Sequence, residues 1–428
     1  MSQLNLFTQY DRTARQKLCL KTWLQQNMKG SIVASTGFGK TRVATNMMTL
    51  VHNRYPDYKF LVVVPTEVLK QQWESQLFDL GLSFNSEVVV INTVIKHSWN
   101  CDILVIDEIH RLGADQFSEV FEKVTYKYIL GLTATFERLD GKHALIKKYC
   151  PVIDEITAEE ALANGWVSPF TEYEVIINVP DIEIYNQYNK EFTEHFEFFN
   201  WDFDKAMSMV GPKGYVARIK MRDDIAPRNA SKSELSDILK TITIHAMGFM
   251  RAIQARKAFI NNHPKKIEIV NKIMNARPDA KIITFSNNIK MAESIEDGKY
   301  VYSGKDTKKK GRIKIEDFQN AKSGHLHTIA KANEGLDISG LSIAIILGLD
   351  SSKIKATQRR GRAIRFEPDK IAEIFNIVIN NTVELEWFRK SHSGDKYVII
   401  DENGLDKVLN YEEPEEYKKA VPKFGFRF

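Results

Sequence analysis

The octapeptide A-S-T-G-F-G-K-T, Ala34 to Thr41, follows a short apolar run (Ser31-Ile32-Val33) and precedes a helical pattern from Arg42 to Val51. Glycines at Gly37 and Gly39 let the backbone present N–H groups at a helix N-terminus, where the macrodipole favours negative charge. Lys40 can then reach the β- and γ-phosphates of a nucleotide, and the Thr41 hydroxyl can ligate Mg²⁺. Ala34 departs from the usual pattern by standing where a first glycine is expected. A chance glycine turn is the competing reading, and the strand-loop-helix context weighs against it. Alone, the loop says that phosphate is held and not what is done with it.

About seventy residues on comes D-I-L-V-I-D-E-I-H, Asp102 to His110. Four apolar residues deliver Asp107 and Glu108 to the C-terminal end of a strand, where α/β sheets bind their ligands. The first acid can hold a Mg²⁺ that bridges phosphate oxygens, and the second can orient and deprotonate an attacking water. By itself such a run is as often an ordinary strand end. Beside the Lys40 loop it points to hydrolysis. A third stretch, Q-R-R-G-R-A-I-R from Gln358 to Arg365, is strongly cationic and would by itself be a generic basic patch.

These groups need a frame. Short apolar runs at Ile32 to Ala34, Phe60 to Val64, Val88 to Ile91, Ile103 to Ile106 and Tyr128 to Leu132 alternate with helical patterns, as buried parallel strands do. A second series lies at Lys281 to Phe285, His327 to Ala330, Ile343 to Leu347 and Ile374 to Ile379. Two such series imply two α/β domains in place of one very wide sheet. Between them, residues 171–180 look like one strand, and residues from about 183 to 275 look helical, with aromatics at Phe196, Phe198, Phe199, Trp201 and Phe203. Gly211 to Gly214 interrupts the helical stretch as a turn. The expected division is 1–168 for the first domain and 169–390 for the second, which carries a helical insertion at about 183–262. Residues 391–428 read as a small appendage. The crossover falls near Gly165 to Pro169.

The 428 residues exceed a single hydrophobic core. A hydrophobic content of 43% and a charged content of 27% suit a soluble globular chain. The net charge of +5 permits a nucleic-acid groove without demonstrating one. Cys19, Cys101 and Cys150 form no C-x-x-C pair, which argues against a disulfide framework or zinc site. No run approaches eighteen apolar residues, and the start M-S-Q-L-N lacks a signal-peptide core, so an intracellular protein is expected, with no membrane partner.

Taken together, the loop, D-E-I-H, and G-L-T-A-T-F-E-R-L-D-G (Gly131 to Gly141) resemble motifs I, II and III of helicase superfamily two, in its DEAH-like branch. A-K-A-N-E-G-L-D-I-S-G, Ala330 to Gly340, resembles motif V, and Gln358 to Arg365 resembles motif VI. The T-A-T-F-E-R-L-D-G phrase and the R-G-R-A-I-R ending are most similar to the XPB-like branch and to the UvsW-like phage recombination helicases. The resemblance runs from Gln16 to about Lys390, with the motifs in order. Phe136 stands where proline usually follows T-A-T, and Ile364 where many relatives carry glycine.

That resemblance implies two tandem RecA-like parallel-sheet domains and an ATP hydrolase that uses Mg²⁺. It implies that Gln16 reads adenine, that Gly37, Gly39, Lys40 and Thr41 hold phosphate, and that Thr41 and Asp107 hold the metal. Glu108 would be the catalytic base. His110, Thr133 and Thr135 would couple hydrolysis to movement, with Gln358 bridging the domains. Gly335 and Asp337 would approach the nucleotide from the second domain, while Arg362 and Arg365 would act as arginine fingers. Thr66, Thr93 and Ser286 would bond nucleic-acid phosphates, which position a strand without reading its sequence. Helix capping is the plainer role for such threonines. Trp73, Trp201 and Trp387 could stack bases, although a core or interface role fits each better.

The expected activity is unwinding or branch migration of forked and junction DNA in replication, recombination or repair. The expected protein is a cytoplasmic monomer, phage-encoded if the UvsW likeness holds. The turn at Gly211 to Tyr215 is the candidate wedge. The alternatives are an RNA helicase of the DEAH kind, a duplex-DNA translocase that does not separate strands, and a nucleotide-gated binding protein without turnover. Intact Glu108 and Arg365 argue against the last.

Overall fold

The computed structural model describes residues 11–113, 119–135, 143–211, 213–295, 300–302, 308–329, 338–363 and 370–413. Motif V residues Gly335 and Asp337, and Arg365 of motif VI, lie outside them. Arg362 falls within a helix, and its side chain is outside the described atoms.

Among the described residues, eight strands precede the crossover: β1 Lys29–Ala34, β2 Phe60–Val64, β3 Ser86–Val90, β4 Trp99–Asn100, β5 Ile103–Asp107, β6 Val124–Thr125, β7 Tyr128–Thr133 and β8 Val152–Ile156. Six form a sheet in the order β3-β2-β5-β7-β1-β8, while β4 and β6 make a separate pair. All these pairings are parallel. The sequence F-L-V-V-V of β2 is buried along its whole length, as is I-L-V-I-D of β5, as a sheet covered on both faces requires. Because β7 separates β1 from β5, the loop after β1 and the acids at the end of β5 flank the end of β7.

A second parallel sheet contains β9 Phe170–Ile177, β10 Lys281–Ser286, β11 Tyr300–Tyr302, β12 Gly324–Ile329, β13 Leu341–Ile346, β14 Ala372–Ile379 and β15 Val398–Asp401. Its order is β11-β12-β10-β13-β14-β9-β15. Two tandem parallel-sheet units are what the hydrophobic runs led one to expect. The sequence patterns do not announce β8, β11 and β15, nor the short pair β4 and β6. Within the expected appendage, the described residues 391–413 join the second unit: Val398 pairs with Tyr173, Ile400 with Val175, and Leu405 and Val408 of the following helix enter the same core. Sheet extension buries Ile400 of Y-V-I-I and half-buries its neighbours, which a local pattern does not reveal.

Between β9 and β10 the helices Ile182–Glu197, Phe203–Ser208, Gly214–Ile225 and Lys232–Asn262 close around a core of their own, centred on Phe192, Phe196, Phe199 and Phe249. The longest begins in a capping box: the Ser231 hydroxyl accepts from the Glu234 N–H, and the Glu234 carboxylate accepts from Ser231 N. Trp201 is 43% exposed and packs edge-on against Phe196 of this core, with ring centroids 5.3 Å apart. Among the described residues, no helix is long and apolar enough to cross a membrane.

Candidate functional site

Both glycines of the loop have φ of +93°, the left-handed region in which a side chain is strained. The helix Lys40–Arg54 starts directly after Gly39 with no side-chain cap, so its first N–H groups receive no help from a cap hydroxyl or carboxylate. Lys40 Nζ donates to the Ala34 carbonyl at 3.0 Å, curled over the loop. Gln16 is 2% exposed, and its Nε2 donates to Phe38 O at 2.8 Å. Arg12, which the motifs did not single out, donates to Gly37 O at 3.4 Å.

Asp107 ends β5. Its Oδ1 accepts from the Glu108 backbone N–H at 3.0 Å, and its Oδ2 accepts from the Trp73 indole at 2.9 Å. Burial pushes the Asp107 carboxyl up to about 6. The Glu108 charge acts in the same direction, while the Trp73 bond and the Lys40 charge oppose it. Glu108 has φ of +51°, rare for a residue with a side chain, which turns it out of the strand line. Its Oε2 lies 3.2 Å from His110 Nδ1, which is 2.9 Å from Thr133 Oγ1. The Thr133 hydroxyl in turn donates to Thr135 O at 2.7 Å. Loop, paired acids and the end of β7 thus form one constellation at the C-terminal edge of the first sheet.

The second unit touches this constellation. Gly361, in the helix Lys353–Ala363, is so close to the loop that a Cβ built on it would lie 2.4 Å from Thr36 Cβ. Gln358 of the same helix is 8% exposed. The neighbouring arginines turn inward: Arg359 donates to Gly348 O, and Arg360 donates to Glu172 and Asp395, each at 2.9 Å. The chain crossover also packs on the loop, with the rings of Phe38 and Trp166 5.4 Å apart.

The three nucleic-acid candidates divide. Thr66 caps the helix Glu67–Asp79, accepting from Leu69 N at 3.4 Å, and Thr93 is exposed beyond β3. Ser286 is 2% exposed, and its hydroxyl lies within hydrogen-bond distance of the Asn288 and Thr328 carbonyls at the turn after β10. Sequence reasoning missed Trp73 as the partner of Asp107. The available signal was an indole on the buried face of a helix, since a buried indole N–H needs an acceptor.

Comparison with known proteins agrees with this geometry. The family model described as type III restriction enzyme, res subunit, matches residues 7–98 and 92–138, and the helicase conserved C-terminal domain matches 265–367. The chain is 25% identical to the DNA 3'-5' translocase XPB2 of Sulfurisphaera tokodaii, over 87% of this chain and 82% of that protein. It spans about half the length of the viral relatives it also matches. In fold it is similar to the Hef helicase domain of Pyrococcus furiosus, with a TM-score of 0.52 at 16% identity over 88% of this chain and 97% of that one. It is similar also to S. cerevisiae Dbp5, with a TM-score of 0.57 at 15% identity, covering 92% and 91% of the two chains. Two RecA-like sheets, one matched by each family model, with a glycine loop and paired acids on the first and an arginine helix on the second, make this chain a member of helicase superfamily two.

Proposed function

We propose that the chain is a DEAH-like, DNA-directed motor that hydrolyses ATP with Mg²⁺ between its two units and remodels forked or junction DNA. The observation that carries this reading is the contact of Gly361 with Thr36, which sets the arginine helix of one unit against the phosphate loop of the other. The uncapped helix start after Gly39 and the oxygen donors Thr41 and Asp107 fit a nucleotide with a hard divalent cation.

Gly37, Gly39, Lys40 and Thr41 would hold the phosphates, Gln16 would meet the base, and Thr41 with Asp107 would hold the metal. When bound, ATP and its metal supply a phosphoryl group whose transfer spreads charge over its oxygens. Glu108 accepts the proton of the attacking water, with its carboxylate beside His110. Arg362 and Arg365 answer the developing charge, an effect of about 10³ to 10⁵ in rate in comparable enzymes. Gly335 and Asp337 complete the second-unit side. His110, Thr133 and Thr135 carry the state of Glu108 to the end of β7, and Gln358 bridges the units. Closing and reopening of the cleft then moves a strand held at Thr66 and Thr93. Tyr215 and Val216, exposed in the first turn of the helix Gly214–Ile225, would supply the wedge. The named relative being a DNA 3'-5' translocase, the same direction is expected of this motor.

The test is ATP hydrolysis measured side by side with single-stranded DNA, forked DNA, Holliday junctions and RNA, using Lys40→Ala as control. Stimulation should be greatest with branched DNA and abolished in the control. Preferential stimulation by RNA would replace the substrate reading. Turnover surviving in Lys40→Ala would end the loop assignment.

A further inference from the structure

The helix Glu67–Asp79 carries two groups with different roles, one at its start and one at its middle. It begins at Thr66, on the loop after β2, where a strand phosphate is proposed to sit. About two turns on it carries Trp73, 1% exposed, whose indole N–H donates to Asp107 Oδ2 at 2.9 Å. At 1.5 Å per residue, the two points are about 10 Å apart along one rigid rod. The other Asp107 oxygen is held by the Glu108 N–H. The carboxylate plane is therefore clamped from two sides, by its own turn and by this helix.

We propose that Trp73 is a positioning residue that couples the nucleic-acid face to the metal-holding carboxylate. A phosphate seated at Thr66 shifts or steadies the helix, and the indole transmits this to the orientation of Asp107. The indole is buried and bonds the carboxylate, so its effect is on metal geometry. A hydrogen bond from a buried donor to a charged acceptor is sufficient for such an effect, since bonds of that kind are the stronger ones. The inference rests on the proposed role of Asp107 as metal ligand.

Trp73→Phe keeps a buried ring and removes the donor. A second variant replaces Trp73 by benzothienylalanine, which has the shape of tryptophan and a sulfur in place of N–H, and so guards against a packing defect. Hydrolysis is measured against Mg²⁺ concentration with and without single-stranded DNA, together with DNA affinity and the melting temperature. The expected result for both variants is a half-saturating Mg²⁺ concentration raised about tenfold and stimulation by DNA cut at least fivefold. DNA affinity should stay within twofold. The benzothienyl variant should melt as the unaltered protein does. Unchanged Mg²⁺ dependence and full stimulation in the benzothienyl variant would overturn the role of Trp73, whatever the phenylalanine variant does. Should the unaltered protein show no Mg²⁺-dependent hydrolysis, the function itself fails and this role with it.

Discussion

Glu172 and Glu174 are two residues apart on β9 and therefore share one face of the sheet, yet their chemistry diverges. Burial works to raise the Glu172 carboxyl, but the His392 hydrogen bond, the Arg360 charge and the Asn376 amide bring it down to about 2. Glu174 is fully buried, and neither of its oxygens has a hydrogen-bond partner among the described residues. Burial pushes it up to about 7, against weaker opposing pulls from Arg389 and His392. The folded protein thus binds the Glu174 proton more tightly than the unfolded chain does. Its cost to stability is absent below pH 4.5, grows as pH rises from there to about 7, and is constant above. The shift from 4.5 to about 7 corresponds to about 3 kcal/mol. Glu174→Gln should therefore stabilise the protein by up to that amount at pH 8 and change it little at pH 4.5. Urea denaturation at the two pH values checks this, and an equal effect at both would refute the buried-proton account.

At the scale of the element, the helix Lys353–Ala363 shows how a basic run is sorted by its surroundings. Of four arginines in R-R-G-R-A-I-R, Arg359 and Arg360 are buried anchors. Arg360 lies 8% exposed beside Glu172 at 1%, a pair reinforced by Asp395. Removing one member of a buried pair leaves the other charge uncompensated, at about 3–5 kcal/mol. Arg360→Met should lower stability by that order. The double change Arg360→Met with Glu172→Leu should cost less than the sum of the two single changes, because neither charge of the pair is then left alone. A double-mutant cycle by chemical denaturation measures this, and simple additivity would show that the pair is not coupled. In function, the pair fixes the face of the helix on which Gly361 meets the loop.

For the whole molecule, the meeting of Gly361 and Thr36 is the point at which the two units can be disturbed without touching either core. Gly361 is helical, so Gly361→Ala favours the helix by about 1 kcal/mol and should not unfold the protein. Its methyl would, however, fall 2.4 Å from Thr36 Cβ and wedge the units apart. ATP affinity should stay within threefold, because the loop is intact, while turnover should drop at least a hundredfold as the arginines lose their approach. Equilibrium binding of a fluorescent ATP analogue and steady-state hydrolysis separate the two effects. Unimpaired turnover would mean that the contact is not the one in which hydrolysis occurs.

Local patterns in the chain already specify the glycine loop, the paired acids at the end of β5, most buried strands and the order of the motifs. Each is encoded by neighbours in sequence: a left-handed glycine, an apolar run that ends in carboxylates, a period of two or 3.6. Tertiary structure alone decided that β15 lies beside β9, that Trp73 bonds an acid 34 residues away, and that Arg360 pairs with Glu172 across 188 residues. The physical reason is that burial is collective. An indole, a guanidinium or a strand edge seeks a partner only once water has been excluded by elements far away in sequence, and no local pattern carries the identity of that partner.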